Sequence, residues 1–448
     1  MKQFLLEKVK FSKGQYERLT KEYLEKKNKD GILDILSKTE NPQYLYWTDL
    51  KYKNWIPAKY NYNKEDFWKL VKTHRRINNK KVNGIYNTNK KPFYFLELDR
   101  FDKFLAELDK ISKGNFSSIN NEMKEELIKN NLIEESIASS QLEGANTTRK
   151  VAKEMINSGR KPKNNSERMI MNNYNAMKIL EEDYKNKELT LKTIFNLHKI
   201  LTKDDTSIPE DKRGAFRVDE DAIVVGARNS SNEYAHEAPK IDFVKKQIKK
   251  LTDFANDKTE DEYEFIHPLI KAIIIHFWIG YLHPFVDGNG RLARCLFYWY
   301  MLRHNYDVIG YYPISLRLKE SPKQYSLAYI YTEQDDNDLT YFIDYNIRKI
   351  EESQIGFLDY FNKKIEISKY INKITIKHKL SNRIQKMLQH INSSGKNYIT
   401  PTIYQELFDI SKPTAIGDLK ELKNLKILKE QKSGREMRYF INTGSMNK

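Results

Sequence analysis

The feature that most constrains this chain is the segment from His283 to Arg294, which joins two apolar stretches that are predicted to be helices. Its sequence, His-Pro-Phe-Val-Asp-Gly-Asn-Gly-Arg-Leu-Ala-Arg, holds an imidazole, a carboxylate, two glycines and two arginines. Gly288 and Gly290 let successive backbone amides turn toward one anion, and a helix N-terminus adds positive potential at the same place. The segment therefore predicts a phosphate-binding loop with a general base attached.

The side chains of this loop suit a metal-bound nucleotide. Asp287 is a hard oxygen ligand of the kind that binds Mg²⁺, and Asn289 can donate its amide to a phosphoryl oxygen. Arg291 and Arg294 are three residues apart, so on a helix they share a face from which both can reach phosphates. His283 has an ordinary pKa of about 6.5 and is available as a neutral base near pH 7. Each residue alone is common in turns and on surfaces, but together they favour transfer of part of a nucleotide.

Here the sequence resembles a known family. The segment matches the Fic (Fido) signature H-x-F-x-[DE]-G-N-G-R-x-x-R at every defined position. The resemblance implies a protein adenylyltransferase, which transfers AMP from ATP, with Mg²⁺, to a Ser, Thr or Tyr hydroxyl of a target protein. It also implies a mainly α fold, with a Fic-type helical core and a β-hairpin flap. Relatives that transfer phosphate or phosphocholine leave the transferred group open.

The resemblance also assigns roles to residues. His283 would deprotonate the hydroxyl, which attacks the α-phosphorus as pyrophosphate leaves, and Asp287 would hold Mg²⁺. Asn289 would stabilise the α-phosphate together with the Gly288 and Gly290 amides, and both arginines would bind the β- and γ-phosphates. The full set of expected nucleotide contacts, which includes flap residues and two downstream positions on the adenine side, is Glu143, Val224, Val225, Gly226, Asp287, Gly288, Asn289, Gly290, Arg291, Leu292, Ala293, Arg294, Tyr325 and Thr332.

An upstream segment, Ser139-Ser140-Gln141-Leu142-Glu143-Gly144, resembles the family's inhibitory motif [ST]-x-x-x-E-[GN]. Ser139 and Glu143 are four apart and lie on one helical face, and Gly144 is placed to end that helix. An ordinary capped helix would have the same pattern. The resemblance implies that Glu143 pairs with Arg294 and holds ATP in an unproductive pose. Some members use this glutamate to remove AMP, so a de-AMPylase is an alternative.

Periodicity divides the chain into three regions. Residues 1–115 have no assigned function, and residues 116–370 form the expected Fic domain. That domain contains the inhibitory helix at about 120–144 and a flap at about 217–236, whose edge would pair with the target backbone. Residues 378–448 are predicted as helix, helix, helix and hairpin, which resembles a winged helix.

The charge of the chain bears on its partners. The net charge is +17, and residues 381–448 contain 12 Lys and Arg against 6 Asp and Glu. Basic residues on the expected third helix and wing suit DNA contact, which makes a DNA-binding regulator with a nucleotide-sensing Fic domain the main alternative function. A protein-docking or homodimerisation module built on the same fold is equally open. The basic residues are Lys412, Lys420, Lys423, Lys432 and Arg435.

Other signals exclude or favour whole classes of protein. The chain has no P-loop, no H-E-x-x-H and no paired-cysteine metal site. No apolar run approaches the roughly 18 residues of a membrane span, and the single Cys295 suits a reducing compartment, so a cytoplasmic protein is expected. His267 and His276 are interpreted as core histidines and not metal ligands, and His236 as part of a surface loop.

Overall fold

A computed structural model of the chain describes residues 2–26, 31–53, 62–113, 121–221, 223–226, 233–258, 265–393, 397–434 and 436–445. The fold is mainly helical, as predicted. The α-helices are α1 (Lys13–Lys26), α2 (Ile32–Ser37), α3 (Trp47–Leu50), α4 (Lys64–Asn78), α5 (Asp99–Lys113), α6 (Asn121–Leu142), α7 (Arg149–Ser158), α8 (Asn165–Ile179), α9 (Leu191–Leu201), α10 (Ile241–Ala255), α11 (Pro268–Leu282), α12 (Asn289–Arg303), α13 (Ile314–Glu320), α14 (Pro322–Gln334), α15 (Thr340–His378), α16 (Asn382–Ser393), α17 (Pro401–Phe408) and α18 (Lys412–Asn424).

Short strands form three small sheets among the described residues. The strands are β1 (Lys2–Gln3), β2 (Lys80–Tyr86), β3 (Pro92–Phe95), β4 (Val224–Gly226), β5 (Glu233–Glu237), β6 (Leu428–Ser433) and β7 (Glu436–Ile441). Strands β2 and β3 pair with each other, as do β6 and β7, and the third sheet has the order β1-β5-β4. Within the described ranges, no helix has both the length and the apolar character that crossing a membrane requires.

Packing divides the chain into two units, one of residues 1–115 and 132–352 and the other of residues 116–131 and 353–448. Residues 1–115, expected as a separate region, therefore share a unit with the helices that carry the signature loop. Two contacts illustrate this. The Leu96 amide donates to Thr340 Oγ1 at 2.8 Å, and the Tyr44 hydroxyl donates to Asp338 at 2.7 Å.

Helices α11 and α12 lie at the centre of the first unit and position the signature loop between them. Both are apolar around most of their circumference, which is typical of a helix buried on all sides. Trp278 on α11 and Trp299 on α12 are among the largest fully buried side chains of the described residues. The start of α11 is fixed by Pro268 in its first turn and by the His267 side chain, which accepts the Leu269 amide. The loop therefore connects two rigid, buried helices.

The predicted flap is the hairpin of β4 and β5. Val224 pairs with Glu237 and Val225 with His236 in antiparallel register. Ala222 and residues 227–232, which also belong to the predicted flap, lie outside the described residues. On its other edge, β5 pairs in parallel with β1, which was not predicted.

The C-terminal unit contains the expected order of three helices followed by a hairpin, α16, α17, α18, β6 and β7. Thr400 and Ser411 cap α17 and α18 by accepting the backbone amides of Ile403 and Thr414, as their sequence positions predict. Its core includes Met387, Leu388, Tyr404, Leu419 and Ile441. A winged helix stays the prediction for this unit.

Candidate active site

His283 ends α11 in an unusual backbone conformation. Its φ of 46° and ψ of 59° lie in the left-handed region, which turns the chain sharply into the signature loop. Nδ1 lies 2.8 Å from the carbonyl oxygen of Gly280, and a carbonyl can only accept, so Nδ1 carries the hydrogen. Nε2 is therefore left with its lone pair. Burial lowers the pKa of His283 to about 4, so the ring is neutral at pH 7.

The loop after His283 is closed by Asn289. Its side-chain oxygen accepts the Phe285 amide at 3.0 Å, and its nitrogen donates to the Phe285 carbonyl at 2.9 Å. The sequence predicts that this side-chain amide donates to a phosphate, whereas here one of its two hydrogens is used inside the loop. Gly288 precedes α12 with a φ of 81°, and no side chain caps the helix. The first amides of α12 are therefore open to an anion.

A second imidazole, which belongs to no sequence motif, supports the signature loop. His198 on α9 is fully buried, and its Nε2 donates to the Asp287 carbonyl oxygen at 2.8 Å while its Nδ1 accepts the Gly214 amide at 2.9 Å. The ring also stacks on Phe285, with centroids 3.8 Å apart. One neutral imidazole thus fixes both the signature loop and the segment that leads into the flap.

Arg217 holds the backbone turn at His283, the candidate general base. Its Nε donates to the His283 carbonyl at 2.7 Å, and its own backbone amide donates to the Pro284 carbonyl at 3.0 Å. The guanidinium also donates to the Pro239 carbonyl, just after β5. The left-handed turn at His283 is therefore held in place by a cation with only 3 % of its surface exposed.

Glu143 and Arg294 form an ion pair at the pocket. Arg294 Nη2 lies 2.9 Å from Glu143 Oε1, and the same guanidinium donates to Oγ and the carbonyl oxygen of Ser139 at 2.8 and 2.9 Å. Burial raises the pKa of Glu143, but the Arg294 charge outweighs burial and the net pKa is lowered. The structure therefore brings together the three residues that the two separate motifs contributed.

Arg291 points away from this pair. Its side chain is fully buried and donates to the Leu201 carbonyl at 3.0 Å, with the Asp205 and Asp287 carboxylates each 3.8 Å away. Its Nε and Nη2 are buried without a hydrogen-bond partner among the described residues. The two signature arginines thus reach different surroundings, although their spacing predicted a shared face.

The site surrounds a cavity of about 180 Å³ in the first unit, smaller than the roughly 300–1000 Å³ of typical ligand pockets. The floor of the cavity is α12, one wall is the flap and the other wall is α14. The lining residues are Glu143, Val225, Gly226, Ala235, His236, Gly280, His283, Gly290, Arg294, Tyr325, Ser326, Tyr329, Ile330 and Glu333.

Several expected contacts do not line this cavity. Thr332 is fully buried and donates to Ala328 within its own helix, because it faces the interior side of α14. Leu292 and Ala293 are also fully buried, since they lie on the core side of α12. Val224 points outward, 39 % exposed, because side chains alternate along β4. In this structure Thr332, Leu292 and Ala293 are therefore packed in the core and Val224 lies at the surface, so none of the four lines the cavity.

Two aromatic residues of α14 do line the cavity. Tyr325 was expected there, and its hydroxyl lies 2.7 Å from Nε2 of His276. Tyr329, one turn further along, was missed although its spacing of four from Tyr325 places both on one helical face. Tyr329 packs so closely on Gly280 that a Cβ there would fall 2.4 Å from its hydroxyl oxygen. The adenine side of the predicted site would therefore be a pair of tyrosines.

The residues present suit a metal that is held mostly by phosphates. No group of three or more His, Cys, Asp or Glu side chains that could hold a metal occurs among the described residues. Asp287 offers one carboxylate with 45 % of its side chain exposed, and its Oδ1 accepts the Gly288 amide. Mg²⁺ commonly binds through one or two carboxylates plus substrate phosphates and water, so Asp287 fits that donor set.

Comparisons with known proteins match part of the chain that carries this site. Residues 188–301 match the family model "Fic/DOC family", a segment that includes the flap and the signature loop but not Glu143. Protein adenylyltransferase fic-1 of Caenorhabditis elegans is 30% identical over 112 residues, which are 25% of this chain and 20% of that protein. Protein adenylyltransferase Fic of Drosophila willistoni is 26% identical over 169 residues, 38% of this chain and 30% of that protein.

Among solved structures, Fic-1 (residues 134–508) from C. elegans covers 78% of this chain and 98% of that chain, with a TM-score of 0.50 and 15% sequence identity. This likeness shows the fold alone. The chain spans only 20% to 30% of the length of the two curated relatives. The segment that matches the family model contains the flap, His283 and Arg294, so residues 188–301 of this chain are similar to the Fic/DOC family.

Proposed function

We propose that this chain is a protein adenylyltransferase that transfers AMP from ATP to a Ser, Thr or Tyr hydroxyl of a target protein. One observation carries the proposal: a single cavity is lined by the His283 ring, by Gly290 at the uncapped start of α12 and by the Arg294 guanidinium. These supply a base, an anion-binding helix terminus and a cation for a second phosphate. Phosphoryl and nucleotidyl transfer depend mainly on such positioning and charge stabilisation.

In the proposed step, Nε2 of His283 takes the proton from the target hydroxyl. The hydroxyl oxygen forms a bond to the α-phosphorus, the bond to the bridging oxygen breaks, and pyrophosphate leaves with that electron pair. The tautomer fits this role because Nδ1–H is committed to the Gly280 carbonyl and Nε2 is free. The left-handed turn, held by Arg217, fixes the direction of the ring.

The phosphates would lie at the start of α12. The Gly290 amide and the second amide hydrogen of Asn289 would stabilise the α-phosphate, and the Gly288 amide would have to leave Asp287 Oδ1 to join them. Arg294 would bind the γ-phosphate. Mg²⁺, when bound, supplies charge neutralisation on the phosphates, and Asp287 would hold it. Arg291 would act from its buried position through its positive charge and through the Leu201 contact that holds the helix start.

We further propose that Glu143 inhibits the transfer. It neutralises Arg294, and it occupies the space above Gly290 so closely that a Cβ on Gly290 would lie 2.2 Å from Oε1. A γ-phosphate would have to compete with this carboxylate for the same guanidinium. The small volume of the cavity, about 180 Å³, is consistent with a state in which Glu143 fills part of the nucleotide site.

The Glu143→Gly variant, given Mg²⁺ and ATP labelled at either the α- or the γ-phosphorus, tests the transferred group. With a total protein extract as acceptor, label from the α-phosphorus should enter protein and label from the γ-phosphorus should not. The Glu143→Gly/His283→Ala variant should transfer neither. Label from the γ-phosphorus would mean phosphate transfer, and undiminished labelling by the double variant would exclude His283 as the base.

A second function, DNA binding, is proposed for the C-terminal unit because Lys412 and Lys420 on α18 and Lys432 on the hairpin are exposed. Duplex DNA should bind with a steep salt dependence, since each neutralised phosphate contributes a slope of about 0.9. Lys420→Glu should weaken binding, whereas Lys386→Glu on the exposed side of α16 should change it little. Equal loss in both variants, or no binding by the intact chain, would favour a protein-docking unit.

A further inference from the structure

His236, on strand β5 of the flap, has a hydrogen-bond acceptor at each ring nitrogen. Nδ1 lies 2.7 Å from Oε2 of Glu333, and Nε2 lies 2.7 Å from the carbonyl oxygen of Tyr281. The ring is buried, with 7 % of the residue exposed, which corrects the expectation of a surface-loop position. Its two partners come from different helices, α14 and the last turn of α11.

The number of hydrogens decides the charge of this ring. A carbonyl oxygen only accepts, so the contact to Tyr281 requires a hydrogen on Nε2. An ionised Glu333 also only accepts, so the contact to it requires a hydrogen on Nδ1, and a ring with both hydrogens is an imidazolium. Burial lowers the pKa of His236, but the Glu333 charge opposes burial and the net pKa is raised. Short contacts of this kind are typical of charge-assisted hydrogen bonds.

We infer that His236 is a positioning residue for the proposed transfer: as an imidazolium held between Glu333 and the Tyr281 carbonyl, it fastens the flap to α11 and α14 and keeps a fixed positive charge beside His283. The inference rests on the proposed function of this pocket. His236 lies outside both motifs and lines the cavity on the side of the flap.

The first role of His236, fastening the flap, follows from the contacts of β5. Ala235 and His236 of this strand line the cavity, so any shift of β5 changes the shape of the site. On its other edge β5 is held by the N-terminal segment, where the Phe4 amide donates to the Tyr234 carbonyl at 2.9 Å. The Phe4 and Leu6 side chains pack on a small core that includes Ala235. His236 completes this attachment on the side of the cavity.

The second role of His236 is its positive charge, which acts on the candidate base His283. The rings of His236 and His283 have centroids 6.4 Å apart. The charged and titratable groups that face His236 are Glu333 from α14, Tyr281 and His283 from the end of α11, and Arg217 from the segment before the flap. Burial has the largest effect and lowers the pKa of His283, whereas the hydrogen bond to Gly280 raises it. The charges on His236 and Arg217 also lower this pKa, and Glu143 raises it. His236 therefore helps to keep His283 neutral and able to accept a proton.

The first test needs no enzymatic activity. In the full chain with ¹⁵N-labelled histidine, the signal that disappears in His236→Gln should be doubly protonated at pH 7.5, about one unit above the ordinary histidine pKa. Glu333→Gln should lower the pKa of that signal. A neutral, singly protonated His236 at this pH, or a signal that Glu333→Gln leaves unchanged, would overturn the inference.

The second test measures whether the charge on His236 changes the pKa of His283. The pKa of His283, followed in the same spectra, should rise in His236→Gln because a neighbouring cation has been removed. In a Glu143→Gly background, His236→Gln should also lower kcat/KM for AMP transfer by about tenfold, the loss expected for a charge-assisted hydrogen bond. The acidic limb of the pH profile should move to higher pH.

His304→Gln provides a matched control. His304 is also paired with a carboxylate, that of Asp257 at 3.4 Å, but it follows the far end of α12, roughly 20 Å along the helix from the signature loop. It should change neither the His283 pKa nor the pH profile. A loss of kcat/KM in His236→Gln with an unmoved His283 pKa would leave only a structural role and contradict the inference. Absence of AMP transfer in every variant would reject the proposed function but leave both spectroscopic results decisive.

Discussion

The Glu143 carboxylate lies 2.9 Å from the Arg294 guanidinium and directly against Gly290, so the end of the helix α6 and the start of α12 share one ion pair. Arg294 is almost fully buried, with 4 % of its side chain exposed. Removing one partner of such a pair leaves a buried charge that a ligand phosphate can satisfy. The proposed inhibition and the proposed ATP contact are therefore two alternative partners of the same guanidinium.

Ser139→Ala should partly release the inhibition. Arg294 Nε donates to Ser139 Oγ at 2.8 Å, and losing one hydrogen bond to a charged group costs about 1.5–3 kcal/mol. AMP labelling should therefore lie between that of the unmodified chain and that of Glu143→Gly. Ser140→Ala is the matched control, because the neighbouring hydroxyl is equally buried but donates to Met169. Equal labelling by both serine variants would remove Ser139 from the switch.

Gly290→Ala tests the geometry of the pair through stability. The new Cβ would lie 2.2 Å from Oε1 of Glu143 and would push that carboxylate off Arg294. We expect a loss of about 1–3 kcal/mol in the free energy of unfolding, in the range of an overpacked buried site. In a Glu143→Gly background this loss should disappear. Urea unfolding of the single and double variants should then give a coupling free energy of about 1 kcal/mol or more between positions 143 and 290.

Gly417→Ala separates this effect from helix propensity. Gly417 lies in α18 with nothing within 4 Å of its would-be Cβ, so alanine there should stabilise by up to about 1 kcal/mol. Additive effects of Gly290→Ala and Glu143→Gly would show that the two residues do not touch in solution.

The buried ring of His276 should make the free energy of unfolding depend on pH. Burial, with a smaller effect from Arg294, lowers its pKa to about 3. The unfolded chain has a histidine pKa of about 6.5, so between these values it binds more protons than the folded chain. The stabilising contribution is therefore complete above about pH 6.5 and falls as the pH drops, by up to ~1.4 kcal/mol per unit.

Urea unfolding at pH 7.5, 6 and 5 measures this contribution. His276→Gln keeps a polar side chain that can accept the Tyr325 hydroxyl but cannot titrate in this range. Its stability should fall less steeply with acidification than that of the unmodified chain. Parallel slopes for the two proteins would show that His276 is not held neutral by the fold.

Much of the site was predictable because its residues are local in sequence. The turn at His283, the glycine start of α12 and the apolar helices on either side follow from composition and periodicity alone. The contact between Glu143 and Arg294 joins residues far apart in the chain. It was expected through the family resemblance and not from spacing, since an isolated helix ending in glycine has many explanations.

Side-chain direction and distant partners could not be predicted. The stretch Ala235-His236-Glu237 has no apolar alternation, and the partner of His236 lies on a helix 97 positions later. Arg291 and Arg294 share helical spacing, but neighbouring carbonyls and carboxylates draw one into the core. Thr332 was chosen by position along α14, and only packing reveals that it is buried and does not line the cavity. Such outcomes depend on tertiary contacts that no local pattern encodes.

In the proposed inhibition, Glu143 keeps an adenylyltransferase inactive by holding Arg294. The most direct measurement compares incorporation of α-labelled AMP by the unmodified chain and by Glu143→Gly, at equal concentration, with Mg²⁺ and the same protein extract. We expect at least a tenfold increase in the variant, with the Glu143→Gly/His283→Ala protein at background. Incorporation by Glu143→Gly that is no greater than that of the unmodified chain, in a protein shown to be folded, would contradict it.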